Sequence, residues 1–257
     1  MIVNKQKIIF LSSETLILLP NLFLDIETVP SFDSEEYFKI KKEIDSGNLD
    51  KHSSNNEIFW RFERGGLNPF DGKVILITYK INNAHTFRLK EWELGERELL
   101  KKFYNLLVDL QHGPSKDRLR IIGHNILGFD IFFLYSRMKY HKIEEEKWLY
   151  QWLINKPEVI DFLQLHLPLN DFKTKGLKHD VLARAYGFPV KHTLGSGEIQ
   201  HYFQKQYYKI IEYSDREFIY PDLYEKIISN GLISKKTLLD AIKSYEESLN
   251  NQKLYFQ

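Results

Sequence analysis

The chain has 257 residues, a formal net charge of +1 and no cysteine. Hydrophobic residues make up 43%, with 18 Phe, 15 Tyr and 4 Trp, which fills a sizeable core and excludes intrinsic disorder. Balanced charge excludes a global field that draws nucleic acid or membrane, so a nucleic-acid ligand needs a local basic groove. The missing cysteines exclude disulfides and thiolate-held zinc.

In chain order, the opening MIVNKQKIIFLSSETLILL sets lysines before apolar residues, as a signal peptide does. Ser12, Ser13 and Glu14 interrupt that run, and no small-residue cleavage site follows. Residues 8–11 and 15–19 suggest a leading hairpin. No stretch reaches the roughly 20 apolar residues of a membrane span, so the expected protein is soluble and cytoplasmic. Residues 22–27 read as a strand, and 34–44 as a helix with an acidic first turn behind a Ser cap. Residues 45–57 are polar and loop-like. Strands over 73–81 and 84–92 flank an Asn82-Asn83 turn. An amphipathic helix covers 95–110, a loop 112–117, a strand 119–125, and a helix about 128–140. A strand over 158–165 and a helix over 177–187 closed by Gly187 follow. The remainder is helical, with a break near Pro221. This order predicts an α/β fold with a mixed sheet. The final LYFQ resembles the remnant of a cleavable tag without completing the usual tag sequence.

Two clusters stand out. In FLDIETVP, Asp25 and Glu27 interrupt an apolar strand, although acids are seldom buried and are depleted in strands. Their i, i+2 spacing turns both to one face. In GHNILGFD, Gly123, His124 and Asn125 end a strand, and Phe129 and Asp130 open the next helix. The carboxyl ends of α/β strands are where such sheets place ligands, so both clusters can face one cleft. Taken separately, Asp25 and Glu27 also suit the solvated face of an edge strand, and Asp130 suits a helix N-terminus. Asn125 also suits a strand-end hydrogen bonder, and His124 reads as a structural histidine.

Together, FLDIETVP and GHNILGFD resemble the first and second motifs of the DEDD 3′–5′ exonuclease superfamily. The nearest likeness is to the tyrosine-bearing branch, as in the exonuclease domain of family-B DNA polymerases and its stand-alone relatives. It runs from about Leu22 to Tyr224, and GFPVK followed by GSGEI is similar to the segment before that family's third motif. The resemblance implies an RNase H-like mixed five-stranded sheet flanked by helices. It implies one exonuclease-like domain over 1–257, with an N-terminal extension (1–20), an insertion (about 33–70) and a C-terminal helix (234–249). It also implies phosphodiester hydrolysis with two divalent cations, Mg2+ or Mn2+, about 4 Å apart. Such hard cations take oxygen ligands. Asp25 would bridge both, Glu27 would bind the first, and Asp130 would hold the second.

The third motif departs from the family, which has Tyr-x-x-x-Asp or His-x-x-x-x-Asp. Here Tyr213 and Glu217 have the tyrosine spacing on one helix face, with the longer glutamate as the acid. Asp215 lies about 200° around the helix from Tyr213. Pro221 disturbs the backbone near Glu217. Tyr213 is therefore expected to orient water and Glu217 to complete the metal site, with Asp215 as the alternative. An ordinary charged helix face stays open, as does Asp161 as a structural acid.

Thr28 to Pro30 would approach the 3′ nucleotide as a loop, Asn125 would contact substrate, and Phe129 would wedge against a base or belong to the core. Residues 52–66 mix aromatics with Arg61 and Arg64, which suits single strands or core packing equally. Lys173, Lys175, Lys178 and Lys191 offer a phosphate path or are plain surface charge. The expected partner is a nucleic acid with a free 3′ end, DNA ahead of RNA. The competing expectation is a weak or inactive nucleic-acid-binding module with the same fold.

Overall fold

The computed structural model describes residues 20–53, 56–112, 119–188 and 197–230. The expected leading hairpin, the loop at 113–117, Lys191, most of the GFPVK–GSGEI segment and the C-terminal helix lie outside the described residues.

Five strands form one open mixed sheet: β1 (Asn21–Pro30), β2 (Gly72–Ile81), β3 (Phe87–Lys90), β4 (Arg120–Gly123) and β5 (Glu158–Asp161). Their order is β3-β2-β1-β4-β5. The pairs β1/β2 and β2/β3 are antiparallel, and β1/β4 and β4/β5 are parallel. The helices are α1 (Ser34–Asp45), α2 (Asn56–Arg64), α3 (Glu91–Leu94), α4 (Glu96–His112), α5 (Asp130–Tyr140), α6 (Glu146–Tyr150), α7 (Phe162–His166), α8 (His179–Ala185), α9 (Gly197–Phe203), α10 (Tyr207–Glu217) and α11 (Tyr220–Ser229). No helix among the described residues is long and apolar enough to cross a membrane.

Strand alternation divides the core. Leu22, Leu24 and Ile26 of β1 join Ile121 and the apolar faces of α4 and α5. Phe23 joins Ile122, Ile160 and the inner faces of α8 and α11. Asp25 and Glu27 share the parity of Phe23, so they emerge beneath the helices of the second layer.

Several boundaries differ from those expected. The cap of α1 is Asp33, whose carboxylate accepts from Glu36 N at 2.8 Å, in place of Ser34. The stretch 158–165 is a strand only to Asp161, because that side chain accepts from Leu163 N and starts α7. The predicted 84–92 strand is confined to β3 and continues into the short α3. Thr28 to Pro30 are not a loop: they extend β1 and pair with Val74, Lys73 and Gly72. Part of the polar 45–66 region folds as α2. Phe59 and Phe62 there pack toward Tyr37, while Arg61 lies over Phe32 and Arg64 over Trp60. Its aromatics and arginines are thus committed largely to intramolecular contacts.

Candidate active site

The site grows from a split in the sheet. β1 pairs with β4 only from Asn21 to Phe23, and β4 ends at Gly123 while β1 runs on to Pro30. A register shift against β2 falls between Glu27 and Thr28, a bulge of the kind that re-aims strand side chains. The unpaired edge of β1 would leave the Ile26 N–H unsatisfied. Asp130, buried at the start of α5, accepts it with Oδ1 at 3.0 Å.

The second-motif turn is shaped by close approach. A Cβ on Gly123 would fall 2.8 Å from the Leu24 carbonyl, and one on Gly128 would fall 2.5 Å from Asn125 Oδ1. Asn125 is left-handed, with φ 54°. Asp161, fully buried, holds the turn by accepting from Asn125 N at 2.8 Å and Leu127 N at 3.1 Å. It organises the loop that delivers Asp130. Phe129 packs on the core and also stands 5.4 Å from Phe133, ring to ring, at the crevice wall.

The helix does break before Pro221. α10 stops at Glu217, and Pro221 sits in the first turn of α11, where its missing N–H is harmless. Ser214 of α10 is fully buried and hydrogen-bonds Thr78, the β2 partner of Asp25, at 2.8 Å. That contact turns Glu217, one turn on, toward the crevice. Glu217 Oε2 lies 3.0 Å from His179 Nδ1, and its side chain is 20% exposed. Asp215 instead is 50% exposed and pairs with Arg88 of β3. Tyr213 is half-buried on α10, one turn before Glu217. The phenol bonded to Asp25 is that of Tyr220, which donates to Oδ1 at 2.9 Å. The Tyr220 ring meets His179 edge-on at 5.3 Å.

The electrostatics follow from this crowding. Burial lifts the Asp25 carboxyl from 3.8 to about 6, opposed by the Tyr220 hydroxyl and by His179, and Glu217 adds to the rise. Asp130 is pushed well above the carboxylate range, first by burial and then by the Asp25 charge. Tyr220 rises well above the usual phenol value through burial and the nearby acids, Glu27 among them. Burial and neighbouring His179 and His166 lower His124 to about 3, so it stays neutral. Its ring packs against that of His179 at 5.5 Å.

Beside these acids lies a cavity of about 180 Å3, walled by Ile26, Leu67, Phe129 and Ile199 and edged by Glu27, Thr28 and Glu63. Thr28 Oγ1 donates to the Gly66 carbonyl, so its hydroxyl is committed to holding the wall. Arg137 pins that wall from below: it binds Glu96 at 2.6 Å and donates to the Pro69 carbonyl at 3.1 Å.

No protein-family model matches this chain, and no curated protein matches it.

The crevice therefore rests on its own chemistry. Asp25, Asp130 and Glu217 come together from a strand and two helices, with Glu27 at the cavity beside them. Their oxygen-only donor set suits hard divalent cations, and a cation would relieve the burial and repulsion that lift Asp25 and Asp130. Among the described residues, no three His, Asp or Glu side chains stand ready in ligand arrangement around one ion. Two of the acids are occupied instead by Tyr220 and His179. Neither of those residues was singled out in the sequence. Tyr220 beside Pro221 and His179 at the head of an amphipathic segment carry no local spacing that ties them to Asp25 or Glu217.

Proposed function

We propose that the protein is a divalent-cation-dependent 3′–5′ exonuclease with an RNase H-like fold, acting on nucleic acid with a free 3′ end, single-stranded DNA first. The observation that carries this reading is the meeting of Asp25, Asp130 and Glu217 at the split between β1 and β4. Asp25, Glu27, Asp130 and Glu217 would hold Mg2+ or Mn2+. Bound there, the pair of cations would supply Lewis acidity for attack by water and charge stabilisation for the leaving 3′ oxygen.

The chain's own residues prepare the site. Tyr220 holds one oxygen of Asp25. His179 holds Glu217. The apolar walls at Leu67 and Phe129 suit the face of a terminal base. Asp161 and the tight Gly123 turn keep Asp130 at the open edge of β1.

A second reading, a nucleic-acid-binding module without hydrolysis, draws on the longer acid at 217 and on its engagement by His179. A 5′-labelled single-stranded oligonucleotide separates the two. The nuclease should give a ladder shortening from the 3′ end with Mg2+ or Mn2+, silent in excess EDTA and in Asp130→Asn. Intact substrate that is nonetheless bound would favour the module, and cleavage persisting in EDTA would refute the cation-dependent mechanism. An RNA oligonucleotide run alongside decides the sugar.

A further inference from the structure

The segment between α7 and α8 combines a strained and exposed aromatic, a local excess of lysine and a position beside the crevice. Leu167–Asn170 form a 3-10 turn, after which Asp171 and Phe172 are successively left-handed, with φ 54° and 56°. That conformation is ordinary for glycine, tolerated by aspartate and unusual for a bulky aromatic. The strained residue is also displayed: Phe172 is 74% exposed and Leu169 is 72% exposed. The loop begins with a 3-10 turn that buries no side chain. It is held by its own polar groups, with Asn170 Nδ2 donating to the Lys173 carbonyl at 2.5 Å and to the Lys175 carbonyl at 2.9 Å, and Phe172 N donating to Leu167 O at 2.8 Å.

Charge is the second feature. The chain as a whole is balanced at +1, yet this loop carries Lys173, Lys175 and Lys178 against Asp171 alone. Asp171 pairs with Lys173, and the next acid, Asp180, pairs with Arg184. Lys175 and Lys178 are exposed, with no ion pair among the described residues. Placement is the third feature. The second-motif turn presents the His124 ring 5.5 Å from that of His179. His179, immediately after the loop, holds Glu217. Phe172 is seven residues before His179, so it stands no more than about 25 Å from that residue.

We infer that this loop is a second contact for single-stranded nucleic acid, with Phe172 stacking on a base and Lys175 and Lys178 meeting phosphates 5′ of the nucleotide in the crevice. The choice of ligand rests on the nucleic-acid reading above, but not on hydrolysis. Stacking on an exposed aromatic is indifferent to sequence, and a preformed loop loses little freedom when it binds. A neighbouring pair of uncompensated lysines supplies the phosphate complement.

The test is fluorescence anisotropy of a labelled dT12 with the full chain in EDTA, so that no cleavage intervenes. Phe172→Ser should weaken binding about tenfold. Lys175→Ala/Lys178→Ala should make the log–log salt dependence shallower by about 1.4, the single-strand value for two phosphates. Both sites are exposed, and unchanged melting curves confirm intact folds. Wild-type affinity and salt slope in both variants would overturn the inference and leave the nuclease reading intact. Loop-dependent binding of dT12 or rU12 without cleavage in Mg2+ would support the inference while sinking the nuclease reading. Failure of the wild type to bind either oligonucleotide would overturn it, as would loop-dependent binding to phosphatidylserine vesicles with oligonucleotide binding unchanged.

Discussion

Replacing Asp25 with asparagine should make the cation-free protein more stable at neutral pH, although it removes a residue at the centre of the site. Burial lifts this carboxyl from 3.8 to about 6. Below pH 3.8 it is neutral in folded and unfolded chains alike. Between 3.8 and about 6 the folded chain holds the proton more tightly. Above about 6 both forms are ionised, and the folded one carries the full penalty, so its contribution to stability falls as pH rises. At about 1.4 kcal/mol per pH unit, the penalty has a ceiling of about 3 kcal/mol. The carboxylate is only partly shielded from solvent at the crevice, so about 1–2 kcal/mol is the expected gain. Asparagine keeps an acceptor for the Tyr220 hydroxyl, and removing the charge also eases Asp130, which the Asp25 charge pushes up. Thermal melts in EDTA should show Asp25→Asn above wild type by about 2–8 °C at pH 7.5, with the gap closing near pH 4. Saturating Mg2+ should narrow the gap by stabilising wild type alone. A variant less stable than wild type at pH 7.5, or a gap that does not change with pH, would refute the picture of a buried, repelled carboxylate.

Glu217→Ala should abolish 3′ shortening while Glu217→Asp retains it. Asp215→Ala should be nearly silent in activity, because it loses only a half-exposed pair with Arg88 worth up to about 1 kcal/mol; full activity in Glu217→Ala would remove α10 from the site. Tyr220→Phe should move the Asp25 titration upward from about 6, since the lost hydroxyl is the strongest influence holding it down; carboxyl 13C chemical shifts read this directly, and an unmoved midpoint counts against the hydrogen bond. Gly123→Ala sets a Cβ 2.8 Å from the Leu24 carbonyl, so it should destabilise by about 1–3 kcal/mol, seen as a lower urea midpoint.

What the sequence by itself determined is whatever depends on neighbours a few residues apart. Alternation along FLDIETVP sets Asp25 and Glu27 on one face. The polar cluster after a short apolar strand marks the carboxyl end of β4. The 200° between Tyr213 and Asp215 already separates that acid from the face of Glu217, and Pro221 announces a break between helices. The mixed α/β sheet follows from the order of strands and helices. Tertiary structure alone decided which groups meet across long separations. Tyr220 reaches Asp25 from 195 residues away and His179 reaches Glu217 from 38, because the chain restarts as α11 after the break and α8 packs on the same face of the sheet. Helical spacing describes one helix, so it relates Tyr213 to Glu217 and says nothing of Tyr220 on the next. Asp161 reads locally as a strand residue, but its carboxylate satisfies backbone N–H groups of a turn more than 30 residues earlier. The strand state of Thr28 to Pro30 likewise depends on β2 some 45 residues on, since pairing partners, not the residues themselves, keep an extended segment in a sheet.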